Sequence, residues 1–226
     1  IDRTNTRVEF DFELMGPDHS ETFTETLSLT PVRSETEIDW SRVEGLVVIL
    51  GAVIGLSYYK AAAPSRYVIR QGGVTQAGVD YLRVVLTQGL AEFAYRNHLE
   101  GLLEPDIILE GGPSPDWALG SHLTPAGDPL VPIGGAHDSV VTVELRAAAR
   151  MHPVQFAVNP NEVIYRVGRI KGHPVIAATR ELDERLLELN AEGALNGHIP
   201  VTAINSLIAL VQARIIGLGP VVMSLE

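Results

Sequence analysis

The loop at residues 134–139, Gly-Gly-Ala-His-Asp-Ser, brings together residue types that bind phosphate groups. Glycines allow backbone N–H groups to approach an anion closely, and a helix that begins at the loop adds partial positive charge. The apolar run Leu130–Ile133 predicts a strand before the loop, and the spacing of Val140, Val143 and Leu145 predicts an amphipathic helix after it. This pattern predicts a phosphate site, whereas a plain glycine turn with a helix-capping Asp-Ser pair is supported equally by the loop alone.

The spacing within the loop excludes two common nucleotide-binding motifs. A Walker A loop ends in Gly-Lys-Ser/Thr and a dinucleotide fingerprint reads Gly-x-Gly-x-x-Gly, and residues 134–139 match neither. They resemble instead the pyrophosphate loop, Ser-Gly-Gly-x-Asp-Ser, of ATP pyrophosphatases. Those enzymes cleave ATP between its α and β phosphates and activate a carboxylate or carbonyl group as an adenylate. The resemblance implies that the loop binds ATP.

Polar residues follow two further predicted strands in this half of the chain. Asn159 comes directly after the strand predicted at Pro153–Val158, and Ser224 follows the strand predicted at Val221–Met223. Strands and helices alternate from residue 129 onward, which predicts a parallel sheet with helices on both faces. Because such sheets bind ligands at the carboxyl ends of their strands, we expect Asn159 and Ser224 to lie near the loop.

Hydrophobic patterns and breaker residues predict the remaining organisation. Alternating apolar residues predict a β-hairpin from residues 7–14 and 23–29. The segment 101–129, rich in Gly, Pro, Asp and Ser, predicts a boundary between a smaller α+β domain at residues 1–128 and an α/β domain at residues 129–226. The other predicted elements are helices at Leu46–Leu56, Thr75–His98, Glu181–Asn190 and Ala203–Ile216, and strands at Val68–Arg70, Ile107–Leu109, Val163–Tyr165 and Pro174–Ala178.

Hydrogen-bonding side chains cluster at the ends of two predicted helices and in one loop. Tyr58-Tyr59-Lys60 ends the first helix, Tyr-Arg-Asn-His at residues 95–98 ends the second, and the loop spans residues 196–202. Substrate binding is one interpretation of the first cluster. The alternative for the first cluster is two packed tyrosines and a lysine that the helix dipole favours.

Four separated segments resemble one family in the same order along the chain: Ser57–Pro64, Glu92–Asn97, the loop at 134–139, and Asn196–Ile204 followed by Val221–Ser224. The family is the bacterial UDP-N-acetylmuramoyl-L-alanyl-L-glutamate epimerase family. Its members use ATP and Mg²⁺ to invert the terminal L-glutamate of the peptide-linked cell-wall precursor, which supplies D-glutamate. The resemblance covers most of the chain. It implies a Rossmann-like ATP pyrophosphatase domain, similar to the adenine nucleotide α hydrolases, preceded by the smaller domain.

The resemblance also implies a mechanism that activates a carboxylate. The α proton of glutamate is hard to remove beside a free carboxylate, and adenylation removes that negative charge. His198 is the first candidate for proton transfer and Lys60 the second, while Asp138 is a candidate Mg²⁺ ligand, direct or through water. The implied ATP-binding residues are Gly134, Gly135, Ala136, His137, Asp138, Ser139, Asn159 and Ser224. The implied ligands of the UDP-linked muramoyl dipeptide are Tyr58, Tyr59, Lys60, Arg96, Asn97, Asn196, Gly197 and Thr202.

The sequence departs from that family in the loop and at its end. The family loop reads Gly-Gly-Gly-Lys-Asp-Ser, so Ala136 replaces a glycine and His137 replaces a lysine. The methyl group of Ala136 obstructs approach to a phosphate, and a neutral His137 is a poorer charge partner than lysine. The alternative functions are therefore another ATP pyrophosphatase-type ligase, which forms an amide, or a non-catalytic nucleotide-binding homologue. Because the family continues beyond Ser224-Leu225-Glu226, we expect the ATP-binding domain to be truncated at its carboxyl end.

Composition and charge limit the partners of the chain. The 226 residues are 46% hydrophobic and 20% charged, which is typical of a globular protein. The 17 Lys+Arg and 28 Asp+Glu give a net charge of -11, which disfavours nucleic acids and anionic membranes. The absence of cysteine excludes disulfides, thiolate metal sites and racemisation by two thiols. Without a signal-peptide pattern or a bilayer-long apolar run, the sequence predicts a cytoplasmic protein with no membrane insertion.

Overall fold

A mixed β-sheet with helices on both faces forms the framework of the chain in a computed structural model. The structure describes residues 1–3, 6–16, 20–31, 40–99, 101, 103–114, 127–135, 137–169 and 175–224. Its strands are β1 (Asp2–Arg3), β2 (Arg7–Met15), β3 (Ser20–Ser28), β4 (Arg66–Ile69), β5 (Asp106–Leu109), β6 (Leu130–Pro132), β7 (Val154–Val158) and β8 (Val175–Glu181). Its α-helices are α1 (Glu44–Ile54), α2 (Leu56–Tyr59), α3 (Gln76–Gly89), α4 (Ala91–Arg96), α5 (His137–Ala148), α6 (Glu162–Arg169), α7 (Glu184–Glu192) and α8 (Val201–Ile216).

The strands of the main sheet follow the order β1-β2-β3-β8-β7-β6. The predicted hairpin is confirmed, because β2 and β3 pair antiparallel from Arg7 with Ser28 to Met15 with Ser20. The parallel arrangement predicted for the second half is also confirmed, since β6, β7 and β8 pair in parallel. The hairpin joins this parallel group through antiparallel pairing of β3 with β8, which makes the whole sheet mixed. β4 and β5 form a separate parallel pair.

Helices cover both faces of the parallel strands, as the sequence predicts. On one face Leu130, Phe156 and Ala178 belong to the main core, which α1 and α8 complete. On the other face Val131 and Ala157 form a second cluster with α5 and α6. Strands buried on both faces require nearly continuous apolar runs, which is the pattern that β6 and β7 carry.

α1 lies at the centre of the main core because it is apolar on every side. Val47, Leu50 and Val53 have no exposed surface, and the helix packs against α3 and α8. Gly51 lets β2 approach the helix closely, since an added Cβ would lie 2.8 Å from Cδ1 of Phe10. The apolar run is thus explained by burial, and none of the helices in the described ranges is long and apolar enough to span a membrane.

The prediction of a strand at Val163–Tyr165 is wrong. These residues belong to α6, whose first turn is capped by a hydrogen bond of 3.0 Å from the backbone N–H of Ile164 to Oδ1 of Asn161. Ile164 packs on the second cluster, while Val163 is exposed. A capping residue and one-sided burial therefore override the β-branched propensity of the segment.

The single helix predicted at Thr75–His98 is broken at Leu90 into α3 and α4. The break follows Gly89, where an added Cβ would lie 2.8 Å from Cβ of Pro200, so the absent side chain makes room for another segment. The strand predicted at Val221–Met223 is reduced to one parallel bridge between Val221 and Leu130.

The sheet and the main core both cross the predicted boundary between residues 128 and 129. Thr26–Ser28 of β3 pair with Thr179–Glu181 of β8. The main core likewise combines Phe10 with Ile208. The division of the chain into two domains stays a prediction, and the structure adds that one sheet and one core are common to both halves.

Candidate functional site

The glycine loop connects β6 to α5, as the sequence predicts. β6 ends at Pro132 and α5 begins at His137. Gly135 has a φ of +80°, in the left-handed region that favours glycine. A Cβ built on Gly134 would have no atom within 4 Å, so the backbone is open to a ligand there. Ala136 lies outside the described residues.

The first turn of α5 carries the polar side chains of the loop. His137 and Asp138 are exposed, whereas Ser139 is buried. Backbone N–H groups in the first turn have no acceptor within the helix and carry partial positive charge, which favours an anion. The turn therefore presents backbone donors, and the Asp138 carboxylate lies beside them.

The loop lies where the order of the parallel strands reverses. From β6 the sheet extends through β7 to β8 on one side, whereas Val221 bridges Leu130 of β6 on the other. Such a reversal opens a crevice at the carboxyl ends of the strands, where α/β proteins bind ligands. Ser224 joins α5 through a hydrogen bond of 2.8 Å between its Oγ and Oγ1 of Thr142. The loop and Ser224 thus both lie against α5.

Asn159 is used to join two strands at this end of the sheet. Its Oδ1 accepts a hydrogen bond of 2.7 Å from the backbone N–H of Arg180, and its Nδ2 donates to the carbonyl of Arg180 at 2.8 Å. Its backbone φ of +47° is rare for a residue with a side chain. The amide group predicted to bind ATP is therefore engaged with β8.

Residues from three of the predicted segments meet around Lys60. Its Nζ donates hydrogen bonds to Oδ1 of Asn196 at 2.6 Å and to the carbonyl of Gly197 at 3.2 Å. Nδ2 of Asn97 donates to the carbonyl of Asn196 at 3.0 Å. We refer to Lys60, Asn97, Asn196 and Gly197 as the Lys60 cluster. The lysine is only 8% exposed, and this burial lowers its pKa.

Close packing explains how the segments of the Lys60 cluster meet. An added Cβ at Gly197 would lie 3.2 Å from Cα of Phe93, so glycine lets the loop lie directly on α4. The backbone N–H of Leu195 donates to the carbonyl of Ala61 at 3.2 Å, and Oδ1 of Asn196 also accepts from the N–H of Gly197 at 2.8 Å. The loop before α8 is therefore fixed to the segment after α2 and to α4.

Three further residues that the sequence assigns to the substrate or to proton transfer are exposed near the Lys60 cluster. Arg96 precedes Asn97 and forms an exposed ion pair of 3.5 Å with Glu92 on the same helix. His198 follows Gly197 and Thr202 lies in the first turn of α8, and both are exposed. They are accessible to a ligand, whereas Lys60 itself is buried.

The Lys60 cluster and the glycine loop lie at the same end of the parallel strands. α8 ends just before Gly219, whose N–H donates to the carbonyl of Asp128 at 2.9 Å, immediately before β6 begins. The helix is 16 residues long, or about 24 Å, and it leads from β8 back to the start of the parallel bridge at Val221. Its first residue therefore lies toward the carboxyl ends of the strands, where the loop also lies.

Tyr58 and Tyr59 are buried, and their rings pack against aromatic residues outside the Lys60 cluster. The Tyr58 ring stacks on Phe12 and Phe23, with ring centroids at 4.9 Å and 4.6 Å. Tyr59 packs against Tyr67, and its hydroxyl has no hydrogen-bond partner among the described residues. The packed state that the sequence left as an alternative is therefore the one seen for both rings.

A buried network around Glu25 has no counterpart in the sequence predictions. Its carboxylate forms a bidentate ion pair with Arg180, and Oε2 accepts a hydrogen bond of 2.9 Å from the hydroxyl of Tyr58. Arg180 also donates to Oγ of Ser57 at 2.9 Å. Burial raises the pKa of Glu25, although Arg180 and Tyr58 act in the opposite direction. The sequence does contain a signal for the burial of Glu25, because this residue lies two positions after Phe23 and therefore on the same inward face of β3.

The predicted Mg²⁺ ligand Asp138 lies in the first turn of α5. Within the described residues there is no group of three or more His, Cys, Asp or Glu side chains that could hold an ion. Mg²⁺ commonly binds through one or two carboxylates together with substrate phosphates and water. Asp138, exposed beside the loop, fits such a site with bound phosphates.

Parallel strands covered on both faces, with a glycine loop at the point of reversal, define an α/β protein of the kind that binds ligands at the carboxyl ends of its strands. The family model of the MurL N-terminal domain matches residues 1–226. The chain therefore belongs to the MurL N-terminal domain family, which confirms the resemblance of the sequence segments.

Three relatives carry the name UDP-N-acetyl-alpha-D-muramoyl-L-alanyl-L-glutamate epimerase. The protein of Micromonospora sp. is 43% identical over 229 residues, which cover 100% of the chain and 50% of the relative. That of Salinispora tropica is 42% identical over 96% of the chain and 47% of the relative. That of Xanthomonas oryzae pv. oryzae is 34% identical over 81% and 40%, respectively. The chain thus spans about half the length of the relatives it matches, and no solved structure matches it significantly.

Proposed function

We propose that the chain takes part in the ATP-dependent epimerisation of the terminal L-glutamate of UDP-N-acetylmuramoyl-L-alanyl-L-glutamate to D-glutamate. Membership of the family, and relatives named for this epimerisation, support the reaction and the substrate. The observation that carries the ATP dependence is the open glycine loop at the start of α5, at the reversal of the parallel strands. The finer assignment to a Rossmann-like ATP pyrophosphatase fold belongs to the same proposal.

The loop would bind the phosphates of ATP through backbone donors. Gly134 is open to solvent and Gly135 adopts a left-handed conformation, so at these two positions neither a side chain nor strain opposes a close approach. The exposed Asp138 would repel phosphates on its own, and it would instead hold Mg²⁺ together with them. Ser139 and Ser224 remain further candidates for phosphate contacts, and Asn159 would have to exchange its bonds to Arg180.

Adenylation would make the α proton of glutamate acidic enough for ordinary side-chain bases. An oxygen of the glutamate α-carboxylate would attack the α phosphorus of ATP, and pyrophosphate would leave. The resulting acyl adenylate carries no negative charge on the carboxyl group beside the α carbon. Loss of the proton then gives an enolate, return of a proton to the other face inverts the centre, and water releases AMP and the free carboxylate. No thiol is required, in accord with a chain that contains no cysteine.

Lys60 and His198 are the proposed proton-transfer groups. Burial lowers the pKa of Lys60. At a given pH, the neutral amine that can accept a proton is therefore more populated than in an exposed lysine. Asn196 and Gly197 orient its amine, and His198 follows them on the same loop. Lys60, which the loop holds through these hydrogen bonds, and His198, which lies on the loop, would serve the two faces of the α carbon, while Arg96 pairs with a substrate anion.

The test is incubation of the purified protein with ATP, Mg²⁺ and the L-glutamate precursor in heavy water. We expect AMP and pyrophosphate to form and deuterium to enter the glutamate α carbon. Deuterium exchange without ATP would contradict activation by adenylation. An amine-dependent product without exchange would indicate an amide-forming ligase. ATP binding without AMP, even in a protein with the full carboxyl terminus of the family, would indicate a non-catalytic homologue.

A charge-preserving variant tests the role of Lys60 within this reaction. Arginine stays protonated at neutral pH, so Lys60→Arg should reduce deuterium exchange by about 10²- to 10⁴-fold. Its effect on ATP binding should be small, because the loop at α5 remains intact. Arg83→Lys, a charge-preserving exchange at an exposed ion pair with Asp80 on α3, is the matched control and should keep the exchange rate.

A further inference from the structure

A cleft separates the main sheet from the β4-β5 pair, and none of the residues assigned above to ATP lines it. It has a volume of about 590 Å³, within the range of small-ligand pockets. β2 and β4 form its two sides, and Tyr58, Tyr59 and residues of α1 line it as well. The cleft is therefore bounded by two strands.

On the side formed by β2, the strand edge beyond Glu9 has no paired strand within the described ranges. The carbonyl of Thr6 accepts a hydrogen bond of 2.7 Å from the N–H of Leu29, so the backbone groups of Thr6 face β3. Backbone groups alternate in direction along a strand, and those of Asp11 and Glu13 consequently face away from β3. Among the described residues, β1 pairs with β2 only through Glu9 and Val8. The groups of Asp11 and Glu13 therefore face the cleft, and no backbone group of the described residues pairs with them.

On the side formed by β4, the edge opposite β5 likewise has no paired strand where the structure describes the chain. The carbonyls of Ser65 and Ile69 accept hydrogen bonds from β5, at 2.9 Å from the N–H of Asp106 and 3.1 Å from that of Glu110. By the same alternation, the backbone N–H and carbonyl of Val68 face away from β5. Val68 lines the cleft, so a donor and an acceptor without a partner in the described part of the chain face it from this side too.

The charged groups of the cleft favour an anionic ligand at one position. Arg70 is paired with Glu13 at 3.1 Å and with Glu110 at 3.7 Å. Arg66 also lines the cleft and is exposed, and it has no ion pair among the described residues. A ligand with an extended backbone and a carboxylate would use both strand edges and this free guanidinium.

We propose that the cleft binds the L-alanyl-L-glutamyl arm of the substrate in an extended conformation, as a short strand between β2 and β4, with Arg66 on a glutamate carboxylate. This inference rests on the proposed function, from which it takes the dipeptide. Strand addition supplies affinity through main-chain hydrogen bonds. Tyr59 lines the cleft and Lys60 follows it directly, so the arm would approach the Lys60 cluster along α2.

The experiment measures binding of N-acetyl-L-alanyl-L-glutamate to the purified protein by calorimetry and by hydrogen exchange of backbone amides. We expect the probe to slow exchange at residues 11–15 and 66–70 and to leave residues 137–142 unchanged. Methylation of the alanine nitrogen of the probe removes one strand hydrogen bond. It should therefore weaken binding by up to roughly tenfold.

A pair of variants at one position separates the backbone from the side chain. Val68→Pro removes the N–H that faces the cleft, at a strand edge where proline is tolerated. It should weaken binding of the probe by up to roughly tenfold. Val68→Ala keeps the N–H and should bind the probe within about twofold of the parent, a smaller effect than that of one hydrogen bond. Equal losses in the two variants would overturn strand addition. A thermal unfolding midpoint for Val68→Pro close to that of the parent verifies that the variant is folded.

Deuterium exchange at the glutamate α carbon, measured in parallel, separates this inference from the proposed function. Epimerisation without protection of the two strand edges would overturn the cleft as the peptide site and leave the function standing. Protection by the probe without any epimerisation would support the cleft and count against the function. Protection by UDP alone, in place of the dipeptide probe, would identify a nucleotide site and overturn the inference.

Discussion

Lys60 is the side chain that best links the packing of the chain to its proposed chemistry. An ammonium group loses hydration when it is buried, and two acceptors replace only part of it. The folded protein therefore favours the neutral amine more than the unfolded chain does, which is the property that a base requires. The nearby His198 is exposed, so its role depends on the ligand rather than on the surrounding protein.

The lowered pKa of Lys60 predicts a specific dependence of stability on pH. Between that pKa and the ordinary value of 10.5, the unfolded chain binds more protons at Lys60 than the folded protein does. Stability contributed by this residue should consequently rise with pH across the interval. Urea unfolding of the parent and of Lys60→Met, from about pH 8 to about 10.5, should show the parent gaining relative to the variant. Parallel curves would contradict the shift.

The two adjacent tyrosines predict opposite effects of removing a hydroxyl. Tyr58→Phe deprives Glu25 of a donor and the N–H of Asp183 of an acceptor, and should cost about 1–3 kcal/mol. Tyr59→Phe removes a hydroxyl without a partner among the described residues, and should be neutral or stabilising. Denaturant unfolding of both variants gives the comparison, and a larger loss in Tyr59→Phe would show that its hydroxyl has a partner.

At the scale of elements, the unit formed by β6, the loop and α5 depends on backbone conformation more than on side chains. Gly135 is left-handed, whereas Gly134 has open space around it. The helix after the loop then supplies the donors for an anion. Gly135 therefore permits the turn, whereas Gly134 leaves space for a ligand to approach the backbone.

Alanine variants distinguish these two purposes. Gly135→Ala places a side chain in the left-handed region and should destabilise the protein by about 1–2 kcal/mol. Gly134→Ala meets no atom and should change stability by less than about 0.5 kcal/mol, while its methyl group blocks the approach of a phosphate and lowers ATP affinity. Thermal unfolding and ATP calorimetry on both variants measure the two effects. ATP affinity unchanged in Gly134→Ala would place the nucleotide elsewhere.

At the scale of the molecule, a buried ion pair connects the two halves of the chain. Glu25 lies in β3 and Arg180 in β8, and these strands pair across the predicted boundary. A buried pair contributes little over apolar packing, but loss of one partner leaves the other charge uncompensated. The pair also reaches Asn159, which is bonded to the backbone of Arg180 at the end of the sheet.

Removal of the charge on Glu25 should therefore weaken both halves together. Glu25→Gln is expected to cost about 3–5 kcal/mol, because Arg180 stays buried without its carboxylate. Native-state hydrogen exchange should show equal losses of protection in β3 and β8. Glu9→Gln, at an exposed ion pair on the neighbouring strand, is the matched control and should change little. A loss confined to β3 would indicate that the halves unfold separately.

Local pattern predicted those features whose causes are local. The alternation in β2 and β3, the loop before α5 and the apolar α8 follow from residue periodicity and breaker residues, and the structure confirms them as elements. Periodicity failed at Val163–Tyr165, where a cap at Asn161 decides the conformation, and at Leu90, where Pro200 packs against Gly89. In the first case a helix cap determines the conformation, and in the second a residue distant in sequence does, so hydrophobic periodicity predicts neither.

The sequence by itself determined the family, the glycine loop and the presence of polar groups on Lys60, Asn97 and Asn196. Only the tertiary structure decided that those three residues meet, because residues 136 and 99 positions apart in the chain are joined by hydrogen bonds that no local pattern specifies. It alone decided that Glu25 is buried against Arg180 and that the hairpin shares a sheet with the parallel strands. Strand partners and buried ion pairs depend on contacts between distant segments, and those contacts form only when the core is packed.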